Sequence, residues 1–456
     1  MSLTACLESH AVGELVRAKG IMVDVPHSSP VRDALQLMRM HGISALPVWA
    51  PPNEWVGAGG SSIMVTDSSS SSGSSGGASE GIEASSSPGA SAGKARRQYI
   101  GMVSVLDVLM HFAQSTSRDD PSWALDVPIS MLIGHCLEGL SCWTLPFHLS
   151  VLDSLEPMSK GVHRVLLPLP SADRPPSGPI VPITTSSATH GGFSRGLLTT
   201  GSAPAYTILN QVDLIKFMLA EAQAETGGQH HHHHHKATSS SSSSSAGQHE
   251  GAGAKSLAEL LQLSVKEAGA VHGTVFAVPA SMKVLDAIRC MQQASVAAVA
   301  VLEPTADDKL DDPMLVFGQG RCLVGTLSAS DLRACSELAA LTALPRLTVG
   351  DFLATLSVAQ DVGISAAFSP YAPPPALATL ASNSPASSPA RMCEARSMVP
   401  ITCREHSRLG AVMSQAIAGR VHRVWVVADD SSGILVGVVT LSDILRCIRE
   451  HAEGER

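Results

Sequence analysis

The sequence predicts an α/β fold of the α+β kind, built from four tandem strand–helix–strand–strand–helix repeats. Three observations predict it. First, one short pattern occurs four times: an apolar strand, a small polar residue, two further residues, an aspartate, and an apolar helix. It reads YIGMVSVLDVLMHF (99–112), AYTILNQVDLIKFM (205–218), CLVGTLSASDLRAC (322–335) and ILVGVVTLSDILRCI (434–448). Second, each copy is preceded by a helical stretch and another strand, the helices starting near Pro30, Leu149, Met282 and Ser407. Third, stretches rich in Ser, Gly and Pro interrupt the repeats at 58–94, 170–203, 224–255 and 368–391.

The last copy shows each element most clearly. Leu409, Val412, Met413, Ala416 and Ile417 fall on one helical stripe. The segment 421–429 is dense in β-branched residues and reads as a strand. After the turn DDSSG, 433–439 reads as a second strand, and TLSDILRCI begins a helix with Thr440 as N-cap and Asp443 three residues on. In the second copy Pro157 falls inside the helical stretch VLDSLEPMSKG. An interior proline removes a hydrogen bond and clashes with the preceding turn, at a cost of roughly 3 kcal/mol, so a kink or a shifted boundary is expected there.

The interrupting stretches lack the apolar surface needed to offset chain entropy and are expected to be disordered. The stretch 224–255, with its histidine run from His230 to His235, falls between the second and third repeats and reads as a linker between two repeat pairs. The expected boundaries are 12–115, 125–222, 257–338 and 346–451 for the four repeats, the last carrying the 368–391 insert. The histidine run is not assigned as a metal site, and the glycine-rich 57–62 lacks the lysine of a phosphate-binding loop.

Composition excludes several classes. Net charge is −9 with no long basic run, which argues against nucleic-acid binding. Nine cysteines without CxxC spacing give neither a zinc site nor an even disulfide set, and read as buried thiols in a reducing compartment. No window is long and apolar enough to span a membrane, and the N-terminus reads as a short amphipathic helix, so cytoplasm or nucleus is expected. No nucleophile elbow, HExxH or kinase signature is present, and no enzyme activity is expected.

Two sets of residues carry candidate chemistry. The aspartates Asp107, Asp213, Asp331 and Asp443 each follow a cap residue, Ser104, Asn210, Ser328 or Thr440, by three positions. Such a pair is a helix-start signal in its own right, and a carboxylate in that first turn is also placed to accept two hydrogen bonds from a ribose diol. Asn210 departs from the Ser/Thr of the other copies. The second set is His163–Arg164 and His422–Arg423, each opening the middle strand of its repeat. Aligned positions hold Ser44–Ala45 in the first repeat and Ala297–Ala298 in the third, so each repeat pair carries one basic and one small dipeptide. A guanidinium fork suits phosphate oxygens, and small residues opposite leave room for a ligand; solvent-facing strand ends are the alternative.

The repeat unit resembles the cystathionine-β-synthase (CBS) repeat, two of which pack into a Bateman module. Four repeats in two such modules resemble the gamma subunits of AMP-activated and plant sucrose-non-fermenting-related protein kinases. GRVHRVWVVADDSSGILVGVVTLSDIL (419–445) is similar to the last repeat of the former, and QYIGMVSVLDVL (98–109), IGHCLEGLSCWTL (133–145) and SKGVHRVLLPL (159–169) to the plant proteins. The resemblance runs from about Val12 to Arg449. It implies AMP, ADP or ATP as ligands with no further cofactor. It also implies ribose contacts from the aspartates and their caps, phosphate contacts from the His–Arg pairs, and catalytic alpha-type and beta-type scaffold subunits as partners. The rival readings are a stand-alone adenosine-ligand regulator of another protein, and a scaffold whose ligand sites have decayed.

Overall fold

A computed structural model of the chain describes residues 2–20, 22–51, 97–114, 121–140, 142–169, 205–230, 256–306, 308, 313–336, 338–368 and 399–455. The inserts 58–94 and 170–203, and nearly all of 368–391, lie outside these residues.

All four repeats take the expected order. In the first, β1 (Val25–Pro26) leads to helix Val31–His41, β2 (Ala45–Ala50), β3 (Gln98–Ser104) and helix Val105–Gln114. The second has helix Val151–Ser159, β4 (Arg164–Pro168), β5 (Tyr206–Asn210) and helix Gln211–His230; its leading strand is reduced to a single bridge, Thr144 to Leu166. The third has β6 (Phe276–Pro279), helix Val284–Gln293, β7 (Ala298–Leu302), β8 (Val316–Phe317) and β9 (Leu323–Ser328). The fourth has β10 (Thr402–Cys403), helix Leu409–Ala418, β11 (Arg423–Val427), β12 (Leu435–Thr440) and helix Leu441–Glu453.

Three expectations need correction. The helix after Ser328 is a 3₁₀ turn, Asp331–Ser336, followed by the short helix Leu338–Ala343. The linker expected from 224 is helical through His230, because Gln211–His230 runs on from the repeat; the rest of the linker lies outside the described residues. Pro157 does not move the helix boundary. It sits in the last turn of Val151–Ser159, one residue shorter than its counterparts in repeats three and four.

The boundaries also divide the packing differently. Residues 11–16 join the second repeat: Val12 N–H donates to Leu149 O (2.8 Å), and Val12 and Val16 share a core with Leu152 and Leu155. Helix Leu257–Gln262 likewise joins the fourth repeat through the bridge Ser264–Arg408, and helix Val349–Val362 joins the third through Lys283–Thr348. Each leading segment crosses to its partner repeat because its apolar face, such as Leu257, Leu260 and Leu261, is buried there. The helix Leu3–Glu8, ahead of Val12, closes the chain on itself: Thr4 Oγ1 donates to Ala452 O (2.9 Å) and to Glu455 Oε2 (2.8 Å).

Sheets pack within repeat pairs and helices pack between them. Repeats three and four join through a sheet-to-sheet cluster including Ala300, Leu302, Trp425 and Val427, where Trp425 Nε1–H donates to Thr326 Oγ1 (2.7 Å). Repeats one and two meet at Tyr99 and Tyr206, edge to face at 5.4 Å. One large core then joins the helices of repeats one and three, and another those of two and four. These helical cores are continuous and fully apolar, so truncating a member such as Leu445 to alanine costs about 2–5 kcal/mol.

Candidate ligand site

The sheet register builds the site frame. In each repeat the second residue of the basic or small dipeptide lies directly opposite the cap residue: Ala45 opposite Ser104, Arg164 opposite Asn210, Ala298 opposite Ser328, and Arg423 opposite Thr440. The turn before each dipeptide is left-handed in all four repeats, at Gly42 (φ 63°), Gly161 (φ 96°), Ser295 (φ 55°) and Arg420 (φ 51°). Glycine takes this conformation without strain, whereas an L side chain there costs about 1–2 kcal/mol. Ser295 and Arg420 are thus held in place by the surrounding fold.

The frame encloses a cavity of about 1130 Å³ to which all four repeats contribute. Ser44 and Ser104 come from the first repeat, and Lys160, His163 and Arg164 from the second. Ala297, Ala298, Ser328 and Asp331 come from the third, and Arg420, His422 and Arg423 from the fourth. The expected clefts within each module are therefore replaced by one chamber shared between modules. Four cationic side chains, Lys160, Arg164, Arg420 and Arg423, line it against a single carboxylate, Asp331. That balance suits a polyanion.

The two arginines behave alike. Arg423 Nη1–H donates to Ala298 O (2.6 Å) and Arg164 Nη2–H to Ser44 Oγ (3.2 Å), so each reaches the small dipeptide of its partner repeat. Burial pulls the Arg423 guanidinium down to about 10, against the pull of Asp443. What surface Arg423 retains opens into the cavity, so an incoming anion would relieve this charge burial.

Of the twelve candidate residues, Ser104, His163, Arg164, Ser328, Asp331, His422 and Arg423 line the cavity; Asp107, Asn210, Asp213, Thr440 and Asp443 do not. The chain itself occupies the missing aspartates. Asp107, 1% exposed, accepts from Ser104 N (2.8 Å), Ser104 Oγ (2.6 Å) and Cys136 N (2.7 Å), and its pKa is raised by burial against those bonds. Asp213 pairs with Lys19 Nζ (2.5 Å) and exchanges bonds with Asn210. Asp443 forms a capping box with Thr440 and receives Arg446 Nη2 at 3.2 Å. In these three copies the helix-start role is filled, and the expected ribose contact is not exposed to the cavity.

Sequence reasoning missed Lys160, Arg420 and His135 as lining residues. Lys160 and Arg420 had a signal, since each immediately precedes a Val-His-Arg turn (KGVHR, RVHR). His135 had none: it is brought in by packing, with Gln292 Nε2–H donating to its carbonyl (2.8 Å). Its ring is held below the usual imidazole range by burial, Asp107 opposing. Among the described residues no cluster of His, Cys, Asp or Glu is arranged to hold a metal, and no helix is long and apolar enough to cross a membrane.

Comparison with known proteins agrees with this geometry. The CBS domain family matches residues 396–450. A protein of Arabidopsis thaliana named SNF1-related protein kinase regulatory subunit gamma-like PV42b is 32% identical over 438 residues, 96% of this chain and 94% of its own. The Arabidopsis protein PV42a, of the same designation, is 29% identical over 94% of this chain and 91% of its own. The 5'-AMP-activated protein kinase subunit gamma of Kluyveromyces lactis is 49% identical over 47 residues, 10% of this chain and 14% of its own. Four strand–helix–strand–strand–helix repeats around a shared cationic chamber define a CBS-domain protein with two Bateman modules. Within that class, the chain belongs to the SNF1-related protein kinase regulatory subunit gamma-like family.

Proposed function

We propose that this chain is a gamma-type regulatory subunit of a heterotrimeric Ser/Thr protein kinase and senses energy state by binding adenine nucleotides in the shared cavity. One observation carries the reading: His163–Arg164 and His422–Arg423, from different modules, converge on one chamber. Four cations gathered there repel one another, and an anionic ligand between them offsets that repulsion. Such a ligand binds the closed arrangement better than an open one and so shifts the population toward it. At a hundredfold excess over its Kd it stabilises the bound state by about 2.7 kcal/mol. A catalytic subunit docked across both modules would feel that change.

The names of the relatives support an alpha-type catalytic subunit and a beta-type scaffold as partners. The test is reconstitution: the chain is co-purified with both subunits, and phosphorylation of a peptide substrate is followed with varied AMP. The reading expects a stable complex whose activity or protection from dephosphorylation depends on nucleotide. Nucleotide binding without kinase association would assign the chain to another target, and neither would leave a scaffold.

A further inference from the structure

The two modules share one design, yet only one of them presents a ribose-gripping carboxylate to the cavity. Asp331 of the third repeat lines it, bonded through Oδ2 to Ser328 N (2.9 Å) and Ser328 Oγ (2.5 Å). Its counterpart in the first repeat, Asp107, has the same two bonds to Ser104 and is sealed by Cys136. The seal is built in. The 3₁₀ turn Leu137–Leu140 lies on β3, and a Cβ added at Gly139 would stand 2.5 Å from Met102 O. Gly101 on β3 is matched to it: a Cβ there would meet Ile133 Cγ2 at 2.6 Å and Gly139 O at 2.9 Å. Backbone approaches this close only where both glycines allow it.

We infer that the chain binds one adenine nucleotide, with the ribose on Asp331 and a polyphosphate reaching the His163–Arg164 pair of the other module. The first module's own ribose position is filled by residues 135–139, so its basic pair has no nucleotide of its own to hold and serves the ligand seated in the second. A cavity of about 1130 Å³ exceeds the usual ~300–1,000 Å³ of small-molecule sites. Space therefore does not limit occupancy; the number of carboxylate grips does. Arg164 lies in the wall opposite the module that carries Asp331, and a longer phosphate chain gains more from it. ADP is accordingly held more tightly than AMP.

The inference rests on the nucleotide-binding reading and is tested by isothermal titration of the full chain with ADP and with AMP. The expected result is a stoichiometry of one. Asp331→Asn weakens ADP at least tenfold, Asp107→Asn leaves affinity per folded molecule unchanged, and Arg164→Ala narrows the ADP-to-AMP ratio. A stoichiometry of two or more, or loss of binding in Asp107→Asn and not in Asp331→Asn, overturns the single site while nucleotide sensing stands. An unchanged ADP-to-AMP ratio in Arg164→Ala overturns the bridging. No binding of either nucleotide overturns both this inference and the reading beneath it. The wild-type stoichiometry decides the count by itself should a variant fail to fold.

Discussion

Arg423, the first residue of β11, donates from Nη1 to the carbonyl of Ala298, the first residue of β7 in the neighbouring repeat, at 2.6 Å. The bond ties the start of one middle strand to the start of the other and aims the guanidinium along the cavity wall. Arg164 makes the equivalent reach to Ser44. Replacing either arginine by alanine removes charge-assisted bonds to a bound phosphate worth about 1.5–3 kcal/mol, roughly ten- to a hundredfold in affinity. The loss shrinks as added salt screens the phosphate. Titrations at low and high salt check both statements, and a salt-independent loss would point to packing instead.

Asp443 is a helix-start residue. Its Oδ2 accepts from Thr440 N (3.1 Å) and Thr440 Oγ1 (2.6 Å), and Oδ1 meets Arg446. Asp443→Ala lowers stability by about 1 kcal/mol, the usual effect of losing a cap. Nucleotide affinity per folded molecule stays at the wild-type value. Thermal melting and binding measured on the same preparation separate the two effects, and a tenfold affinity loss would return Asp443 to the ligand.

Gly139 tests the seal over Asp107. Gly139→Ala sets a methyl group 2.5 Å from the Met102 carbonyl oxygen, which belongs to a paired strand and cannot step aside. Overpacking of this kind costs about 1–3 kcal/mol. Gly273→Ala, where nothing lies within 4 Å, is the control and changes stability by less than about 0.5 kcal/mol. Denaturant midpoints of the two variants give the comparison; equal midpoints would show that the turn 137–140 does not press on β3.

Acid sensitivity follows from two imidazoles. His111 and His135 stand 5.7 Å apart between ring centroids. Burial lowers both pKa values, His135 lowers that of His111 further, and Asp107 acts to raise that of His135. The unfolded chain takes up these protons below about pH 6.5, while the folded chain resists them. Their contribution is therefore present above about pH 6.5 and is lost as pH falls through the lowered folded values. Chemical denaturation at pH 7.5 and 5.5 measures the slope. The His111→Gln/His135→Gln double variant flattens it, and an undiminished slope would assign the acid sensitivity elsewhere.

The repeat architecture was legible because its signals are local. A strand ending in a cap residue three positions before an aspartate appears in one short window, and all four such windows fold as strand and helix start. The asymmetry between basic and small dipeptides was legible for the same reason, and the sheet register confirms it through Arg423 opposite Thr440 and Ala298 opposite Ser328. What stayed hidden is non-local. Nothing near Asp213 foretells Lys19, which is 194 residues away in sequence. Nothing near Asp107 foretells that Cys136 will donate to it, and a single shared chamber arises only when helices of different modules pack. The swapped leading segments were missed likewise, since residues 11–16 carry a helical pattern that does not say which repeat will bury it.

The most direct test of the account is the double variant Arg164→Ala/Arg423→Ala, titrated with ATP and AMP beside the wild-type chain. Both arginines line one cavity from different modules. The account predicts saturable binding by the wild type, and in a folded double variant a loss larger than that of either single substitution. Wild-type affinity in that folded double variant would contradict it.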